Sequence, residues 1–383
     1  MKIQYSPPRS IYFEQFPFYW QPLTQQTKGR FPEALPFELV IDEKSGVLSQ
    51  TFKPEVLKVI HQSYGEGTYV EGLMNETGIG RQYADDFLAF VDKAVGLENI
   101  KGRSILEIGC GSGFLLSQLS KRGAHVLGYE PGYTALGKHD IPVIKGFFPS
   151  PEVKGKIFDV IIAFAVLEHI AEPESLLKHF KDCLAPQGRL ILAVPDCEDP
   201  VREGNISMLI HEHFSYFTID TFKNFMAHHG YVPLQLVKAG FGAILYGDFK
   251  LGAASSNQLS PCAISKNVFL KIAENFKKTE AFLNKHKQKT VGIYVPFRAM
   301  NMVYLLKDTL ASLNIHLRFF DDSSYLRGKY CPGIDIPIEN VDTLNSPRCD
   351  VILIYSYYFG KVIYEKIKHQ VSPGTLIVNI GDL

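Results

Sequence analysis

Two histidines flank a glutamate in the stretch "LIHEHFSYFT", from Leu209 to Thr218. His213 could accept a proton near neutral pH, because an imidazole has a reference pKa of about 6.5, and Glu212 could orient the ring or stabilise its charge. If the segment is extended, His211 and His213 could instead bind zinc from one side. Loop histidines that only bond the backbone are a third interpretation. Since no further ligands are evident, we favour the base and predict no metal.

A second motif, "ILEIGCGSGFLL", places three glycines between a predicted strand and a predicted helix. Gly109, Gly111 and Gly113 allow the backbone to approach a ligand closely. Phe114 follows at a position where the usual dinucleotide fingerprint has glycine or alanine, so dinucleotide binding is disfavoured. Glu107 places an acidic group just before the glycines. The motif therefore predicts a ligand site other than one for a dinucleotide.

Glu130 ends the next predicted strand, and a carboxylate there can accept hydrogen bonds from both hydroxyls of a ribose. With the glycines, it resembles class I S-adenosylmethionine-dependent methyltransferases. The resemblance implies that Gly109, Gly111, Gly113 and Phe114, with Glu107, form the turn along the methionine portion, and that Glu130 holds the ribose. It also implies side chains flanking the adenine or the sulfonium, namely Phe147, Ala163 and Phe164. His169, in "VLEHI", is interpreted as a structural residue near the cofactor.

Strands and helices alternate on both sides of these motifs, which is typical of an α/β fold with a mostly parallel sheet. Short apolar strands from Ser104 to Pro195 predict a Rossmann-like domain, and a second set after Thr290 predicts a smaller Rossmann-like domain. The stretch to about Phe37 shows no clear period and is expected to be an irregular arm. The predicted domains are an N-terminal arm with a helical capping region, a cofactor-binding domain and a C-terminal Rossmann-like domain, at 1–95, 96–255 and 256–383.

The composition argues against several classes of partner. Forty basic and forty acidic residues balance in 383, without long runs of one sign, so neither nucleic acid nor an anionic membrane surface is expected. The apolar run Val160–Leu167 is too short to cross a bilayer. No secretory signal is evident, and six scattered cysteines fit a reducing cytosol. We therefore expect a soluble cytoplasmic protein with a small-molecule substrate; its oligomeric state is not predicted.

Longer stretches resemble the sugar C-methyltransferases, which methylate nucleotide-linked keto-deoxysugars. The matching segments extend from about Phe37 to the end and include "VIDEKSGVLSQTFKPEVL", "YGEGTYVEG", "HEHFSYFTIDTFKNFMAHHGY" and "KYCPGIDIPI". The resemblance implies that His213 removes the proton alpha to a ketone, that His211 and Glu212 assist, and that the enolate attacks the methyl group of S-adenosylmethionine. It also implies a substrate-binding tyrosine, for which Tyr64 and Tyr69 are the candidates.

The chain departs from that family in three places. No cysteine precedes Cys110, so the family's N-terminal zinc module is absent or replaced. Ile210 stands where the family often has tyrosine. Pro296, Phe297 and Arg298 replace its usual Gly-Ala turn. Two alternatives therefore stay open: methylation of a hydroxyl on a sugar or another small molecule, and a non-catalytic binding protein that retains the fold.

Overall fold

The computed structural model describes residues 3–6, 10–65, 74, 76–132, 140–252, 267–357 and 359–383. The chain forms two compact units. The terminal unit, which contains both ends of the chain, comprises Met1–Glu38, Pro200–His211 and Ser265–Leu383. The central unit comprises Leu39–Asp199 and Glu212–Ile264. The chain thus crosses between units within the "HEH" stretch, directly after His211.

The secondary structure of the described residues alternates as the sequence predicts. The strands are β1 (Ile3–Ser6), β2 (Ser10–Pro17), β3 (Ala34–Ile41), β4 (Leu48–Thr51), β5 (Ser104–Ile108), β6 (His125–Glu130), β7 (Val143–Lys145), β8 (Phe158–Phe164), β9 (Leu184–Pro195), β10 (Ser215–Tyr216), β11 (Tyr231–Lys238), β12 (Ile244–Leu251), β13 (Thr290–Tyr294), β14 (His316–Asp321), β15 (Ile338–Asn340), β16 (Val351–Ile354) and β17 (Leu376–Asn379). The helices are α1 (Pro54–Gly65), α2 (Gly78–Val95), α3 (Phe114–Ser120), α4 (Pro173–Cys183), α5 (Glu198–Glu203), α6 (Ile219–His228), α7 (Val268–Lys285), α8 (Pro296–Leu305), α9 (Lys307–Ser312) and α10 (Gly360–Ile367).

The central unit is built on a seven-stranded sheet of order β11-β12-β9-β8-β5-β6-β7. The strands β5 to β9 are parallel, and β12 pairs antiparallel with both β9 and β11. Buried aliphatic and aromatic side chains cover both faces of the sheet, as expected for parallel strands between helices. The predicted Rossmann-like domain is therefore confirmed, and the carboxyl ends of β5, β6, β8 and β9 share one edge.

Local contacts fix the start of α6. Thr218 caps the helix and exchanges hydrogen bonds with Thr221, forming a capping box. Phe217 packs against Phe222, with ring centroids 5.2 Å apart, which forms a hydrophobic staple at the start of the helix. These contacts fix the chain that leaves the "HEH" stretch. Upstream in the same unit, β10 pairs antiparallel with β4.

The terminal unit contains a five-stranded parallel sheet of order β15-β14-β13-β16-β17. This confirms the predicted second Rossmann-like domain. The expected irregular arm is wrong for residues 10–17, because β2 is a strand in which Ile11 and Phe13 are buried at alternate positions. Its partner β1 pairs with it antiparallel.

The two units divide the chain differently from the three predicted segments. The first 38 residues and the excursion 200–211 cluster with the C-terminal sheet, whereas 39–95 cluster with the central sheet. Such long-range packing leaves no local signal in the sequence. Among the described residues, no helix combines the length and apolar character needed to cross a bilayer. The described cysteines are buried and form no disulfide, while Cys262 lies outside the described residues.

Candidate methyl-donor site and proton-transfer cluster

The glycine turn follows β5 at the carboxyl edge of the central sheet. Gly109, Gly111 and Gly113 all have positive φ angles, of 69°, 52° and 77°. This left-handed backbone is accessible to glycine at little cost. A Cβ atom on Gly109 would lie 2.6 Å from Cγ2 of Val166, so the turn packs directly against the segment that follows β8. The glycines thus satisfy both the backbone angle and the close approach.

Glu107 lies on β5 just below this turn and is completely buried. Neither carboxyl oxygen has a hydrogen-bond partner among the described residues. Burial raises the pKa of Glu107 well above its ordinary value, and the negative charge of Glu130 raises it further. An unpaired buried carboxyl is costly unless a donor satisfies it. A ligand with a hydrogen-bond donor or a positive charge would provide one.

Glu130 ends β6 beside the same turn. One carboxylate oxygen accepts a hydrogen bond from the Gly111 amide at 2.9 Å, and the other accepts one from the Gly132 amide at 2.7 Å. Each oxygen of a carboxylate has two lone pairs, so each can accept a second bond. The two backbone bonds fix the plane of the carboxylate, and a pair of neighbouring hydroxyls can occupy the remaining positions.

A cluster of ionisable side chains lies in the central unit near the turn. Its members are Tyr64 at the end of α1, Glu168 and His169 after β8, and Glu212 and His213 before β10. The Tyr64 hydroxyl lies 3.1 Å from Nδ1 of His169. The rings of His169 and His213 meet edge to face, with centroids 4.6 Å apart. The Phe214 amide donates to the carbonyl of Glu168 at 2.6 Å, which joins the two segments.

Burial gives this cluster unusual protonation properties. It raises the pKa of Glu168 and of Glu212 to about 8, so both carboxyls favour the neutral form at neutral pH. Burial also lowers the pKa of His169 to about 4, although a hydrogen bond with the backbone of Glu212 partly opposes it. The pKa of Tyr64 is raised by burial and by the nearby charges of Glu212, Glu168 and Glu130. Tyr64 therefore stays a hydrogen-bond donor near neutral pH.

Comparison with known proteins agrees with this geometry. Residues 79–236 match the model of a family described as a methyltransferase domain. This segment is similar to methyltransferase domains. The fold is the Rossmann-like fold of class I methyltransferases, whose cofactor is S-adenosylmethionine. The described site residues fit that cofactor, because Glu107 lacks a donor that an amino group can supply and Glu130 keeps lone pairs for ribose hydroxyls.

Curated relatives match only part of this chain. The chain is 30% identical over 112 residues to the ubiquinone biosynthesis O-methyltransferase of Aeromonas salmonicida, covering 27% of this chain and 46% of that protein. It is 32% identical over 113 residues to the tRNA U34 carboxymethyltransferase of Idiomarina loihiensis, covering 25% and 34%. The chain thus spans less than half the length of these relatives. Their names therefore do not establish the substrate of this protein.

Solved structures of methyltransferases are similar at low identity. One is the 1,6-didemethyltoxoflavin-N1-methyltransferase of Burkholderia thailandensis, which is 15% identical and has a TM-score of 0.38 over 56% of this chain and 96% of that chain. Another is an S-adenosylmethionine-dependent methyltransferase from Mesorhizobium loti, which is 13% identical with a TM-score of 0.34 over 39% and 91%.

The remaining predicted cofactor residues of the methyltransferase domain divide into two groups. Phe147 follows β7 and is 63% exposed, so its ring is available to a ligand. By contrast, Phe114, Ala163 and Phe164 are buried in the core, and Phe164 packs edge to face on Phe87 with centroids 4.9 Å apart. These three side chains pack within the core, and their contact with the cofactor stays a prediction.

His211 lies in a different environment from its neighbours in the sequence. It belongs to the terminal unit and is completely buried. Its ring meets those of Phe16, Phe18 and Phe37 edge to face at 5.8, 5.6 and 5.1 Å between centroids. Burial lowers its pKa to about 4, with backbone hydrogen bonds as a smaller opposing influence. This enclosure assigns His211 a packing role, so we leave it out of the proposed proton transfer.

Glu168 and His169 lie among the candidate catalytic residues, although neither is predicted from the sequence to take part in the chemistry. Glu168 has no role predicted from the sequence, and His169 is interpreted there as structural, yet His169 contacts both Tyr64 and His213. The signal available in the sequence was their position directly after β8, at the ligand-binding edge of an open α/β sheet. Of the two candidate tyrosines, Tyr64 lies in the cluster, and Tyr69 lies outside the described residues.

Proposed function

We propose that this protein transfers a methyl group from S-adenosylmethionine to a carbon atom of a sugar, such as a nucleotide-linked keto-deoxysugar, through an enolate. The observation that carries this proposal is the contact of His213 with a Tyr64–His169 pair in the same unit as the glycine turn. A proton acceptor and a hydroxyl donor are thus held together. An enolate mechanism needs both functions.

The chain's residues have separate tasks in this reaction. His213 takes the proton from the carbon next to the ketone, and the electrons of that C–H bond form the enolate. Tyr64 donates a hydrogen bond to the ketone oxygen, where negative charge develops, and His169 orients the phenol. S-adenosylmethionine supplies an activated methyl group, which the enolate carbon attacks as the C–S bond breaks. His213 then releases its proton to solvent.

Glu212 and Glu168 assist by their burial. Both carboxyls favour the neutral form while the imidazole is neutral, because their pKa values lie at about 8. When His213 becomes positively charged, a nearby carboxyl can release its own proton to solvent, since opposite charges stabilise each other, and it takes up a proton again after His213 has released its proton. The cluster can therefore accept a proton without holding an unpaired charge in a buried site. His211 takes no part in this scheme.

Methylation of a hydroxyl is the second candidate. It is favoured by the partial match to ubiquinone biosynthesis O-methyltransferases and would use the same base without a ketone. We rank it second because the Tyr64 hydroxyl, which the carbon mechanism uses at the developing oxyanion, has no comparable task when the acceptor is an alcohol. Soluble cytoplasmic action on a small molecule belongs to the same proposal.

The experiment is a hydrogen-exchange assay on a panel of nucleotide-linked keto-sugars in deuterated buffer, with S-adenosylhomocysteine in place of the methyl donor. We expect deuterium at the carbon next to the ketone, and a loss of at least about 100-fold in His213→Ala. His179→Ala, which alters a partly exposed histidine on α4, is the matched control and should exchange normally. Methyl transfer without any such exchange would instead support the hydroxyl as acceptor.

A further inference from the structure

Three possible metal ligands converge within the cluster. One donor atom from each of Glu168, His169 and His213 lies within 4.8 Å of the other two. Nε2 of His169 and Oε1 of Glu168 are 3.8 Å apart. Two donors on one zinc ion lie about 3.4 Å apart in a tetrahedron, given bond lengths of about 2.1 Å. Small side-chain rotations are therefore enough to bring the three donors onto one ion.

Glu168 provides an independent reason to expect a ligand. Its side chain is 1% exposed, and neither carboxyl oxygen has a hydrogen-bond partner among the described residues. A buried polar group without a partner is rare and calls for an explanation. A cation bound by this carboxylate would satisfy it. The same residue is thus both a possible metal ligand and a buried carboxyl without a hydrogen-bond partner.

The backbone holds the ligands in register. Glu168 and His169 lie in the short turn after β8, and His213 precedes β10. The 2.6 Å bond from the Phe214 amide to the Glu168 carbonyl connects the two segments next to the ligands. The Gln50 amide also donates to the Phe214 carbonyl, at 2.9 Å. The site therefore needs little ordering of the chain when an ion binds.

We propose that Glu168, His169 and His213 form an inhibitory site for a divalent transition-metal ion of the Zn²⁺ type. Two imidazoles and one carboxylate are ligands that zinc accepts, and a water molecule completes the coordination. The ion takes the lone pair of His213. The metal-bound protein therefore cannot use this residue as a base. Inhibition of methyl transfer rests on the proposed function, whereas the metal site itself does not.

This proposal differs from the zinc hypothesis considered for the sequence. That hypothesis paired His211 with His213, whereas the structure encloses His211 among aromatic rings of the terminal unit. The new ligands come instead from a turn that lies more than forty residues earlier in the chain. The proposal also differs from the prediction that no metal binds.

The test is a titration of the full chain with Co²⁺ as a spectroscopic substitute for Zn²⁺, followed by visible absorption. We expect one bound ion with the spectrum of a low-coordinate nitrogen and oxygen site, displaced by Zn²⁺. Glu168→Gln should raise the Kd for Co²⁺ by at least about tenfold, and His169→Gln by a similar factor. The matched control is Glu172→Gln, an exposed change nearby, which should bind like the unaltered protein.

Binding that is equally tight in Glu168→Gln and His169→Gln would overturn the metal site, since the ion would then occupy other histidines. Circular dichroism melts of each variant show whether a loss reflects unfolding. A second measurement adds Zn²⁺ to the exchange assay and then a chelator, with inhibition and recovery expected. Faster exchange with Zn²⁺ would overturn the inhibitory role. The Co²⁺ titration requires no substrate, so its result stands if the proposed methyl transfer fails.

Discussion

The mostly parallel central sheet and the parallel terminal sheet have the same strand order around their first strand, but the turns that follow this strand differ. After β5, the central sheet has three glycines with positive φ angles. After β13, the terminal sheet has Val295, with a φ of 66°, and then Pro296 at the first position of α8. Asn301 on this helix donates to the carbonyls of Ile206 and Leu209, each at 2.8 Å.

From this difference we infer that the turn, rather than the strand order, decides whether a sheet edge is suited to a nucleoside. Glycines leave the backbone accessible, whereas valine adds a branched side chain and proline removes an amide donor. Both sheets place an acid at the end of the second strand, Glu130 in one and Asp321 in the other. We infer that the first turn of the terminal sheet serves packing, while that of the central sheet serves the cofactor.

The largest expected effect is that of Gly109→Ala. The added Cβ would meet Val166 at 2.6 Å on a backbone that disfavours alanine, so we expect S-adenosylhomocysteine to bind at least about 100-fold more weakly by calorimetry. The matched control is Gly328→Ala in the terminal unit. Gly328 has a φ of 74°, but a Cβ atom added there would meet no atom within 4 Å, so affinity should change less than about twofold. Equal losses in both variants would contradict the comparison.

A smaller effect is expected at the two strand-end acids. Glu130→Gln removes the charge that ribose hydroxyls would meet, so we expect about tenfold weaker binding of S-adenosylhomocysteine. Asp321→Asn, the corresponding change in the terminal sheet, should leave that affinity unchanged. Calorimetry on both variants makes the measurement. If Asp321→Asn weakened the binding of S-adenosylhomocysteine as much as Glu130→Gln does, the assignment of separate tasks to the central and terminal sheets would fail.

The buried acids of the central edge should make stability depend on pH. The pKa of Glu168 is raised from 4.5 to about 8. The contribution of this carboxyl to the free energy of unfolding is therefore fully present below about pH 4.5 and is lost as the pH rises through about 8. Glu168→Gln removes this loss. Between pH 6.5 and 8.5 its melting temperature should therefore fall less than that of the unaltered protein, by on the order of 5 °C.

The titration of His169 and His211 does not overlap with this measurement. The pKa values of His169 and His211 are lowered to about 4, so their contribution is present above about 6.5 and is lost only as the pH falls towards 4. Calorimetric melts at four pH values from about 6.5 to 8.5 are sufficient. Glu172→Gln should follow the unaltered protein. If the melting temperature of Glu168→Gln changed with pH as much as that of the unaltered protein, the Glu168 carboxyl would not be a buried neutral acid.

The smallest effect is expected at Val295. Valine is costly at positive φ, and glycine would relieve this strain while losing a partly buried side chain. These contributions oppose each other, so Val295→Gly should change the free energy of unfolding by less than about 1 kcal/mol. Denaturant titration measures the change. A large loss would mean that the valine side chain, rather than the backbone, is what the terminal turn requires.

Local patterns were sufficient to predict much of the fold. The apolar runs at β5, β8 and β9 and the cap of α6 are encoded by neighbouring residues, so they could be recognised. The alternation of Ile11 and Phe13 in β2 was also local, but prolines and aromatic residues on either side concealed its period of two. The assignment of segment 200–211 to the terminal unit could not be predicted, because it depends on contacts with distant parts of the chain.

The candidate site was predictable where motifs are contiguous. Glu130 and the glycines follow from one motif and one strand end, and Glu212 and His213 follow from another. The contact of His169 with His213 joins segments more than forty residues apart, so no spacing rule could reveal it. The separation of His211 from Glu212 was equally hidden. Adjacent polar residues suggest a common task, yet packing assigns them to different units.

The path of the chain has a consequence for protein engineering. Because the backbone passes between the units after Glu38, Asp199 and His211, and again after Ile264, neither unit corresponds to one continuous piece of sequence. Cutting the gene at 264 would leave the hydrophobic residues of 200–211 without their partners. An isolated central unit would therefore require a new connection between Asp199 and Glu212. For the same reason, neither unit can be exchanged between proteins as one continuous segment.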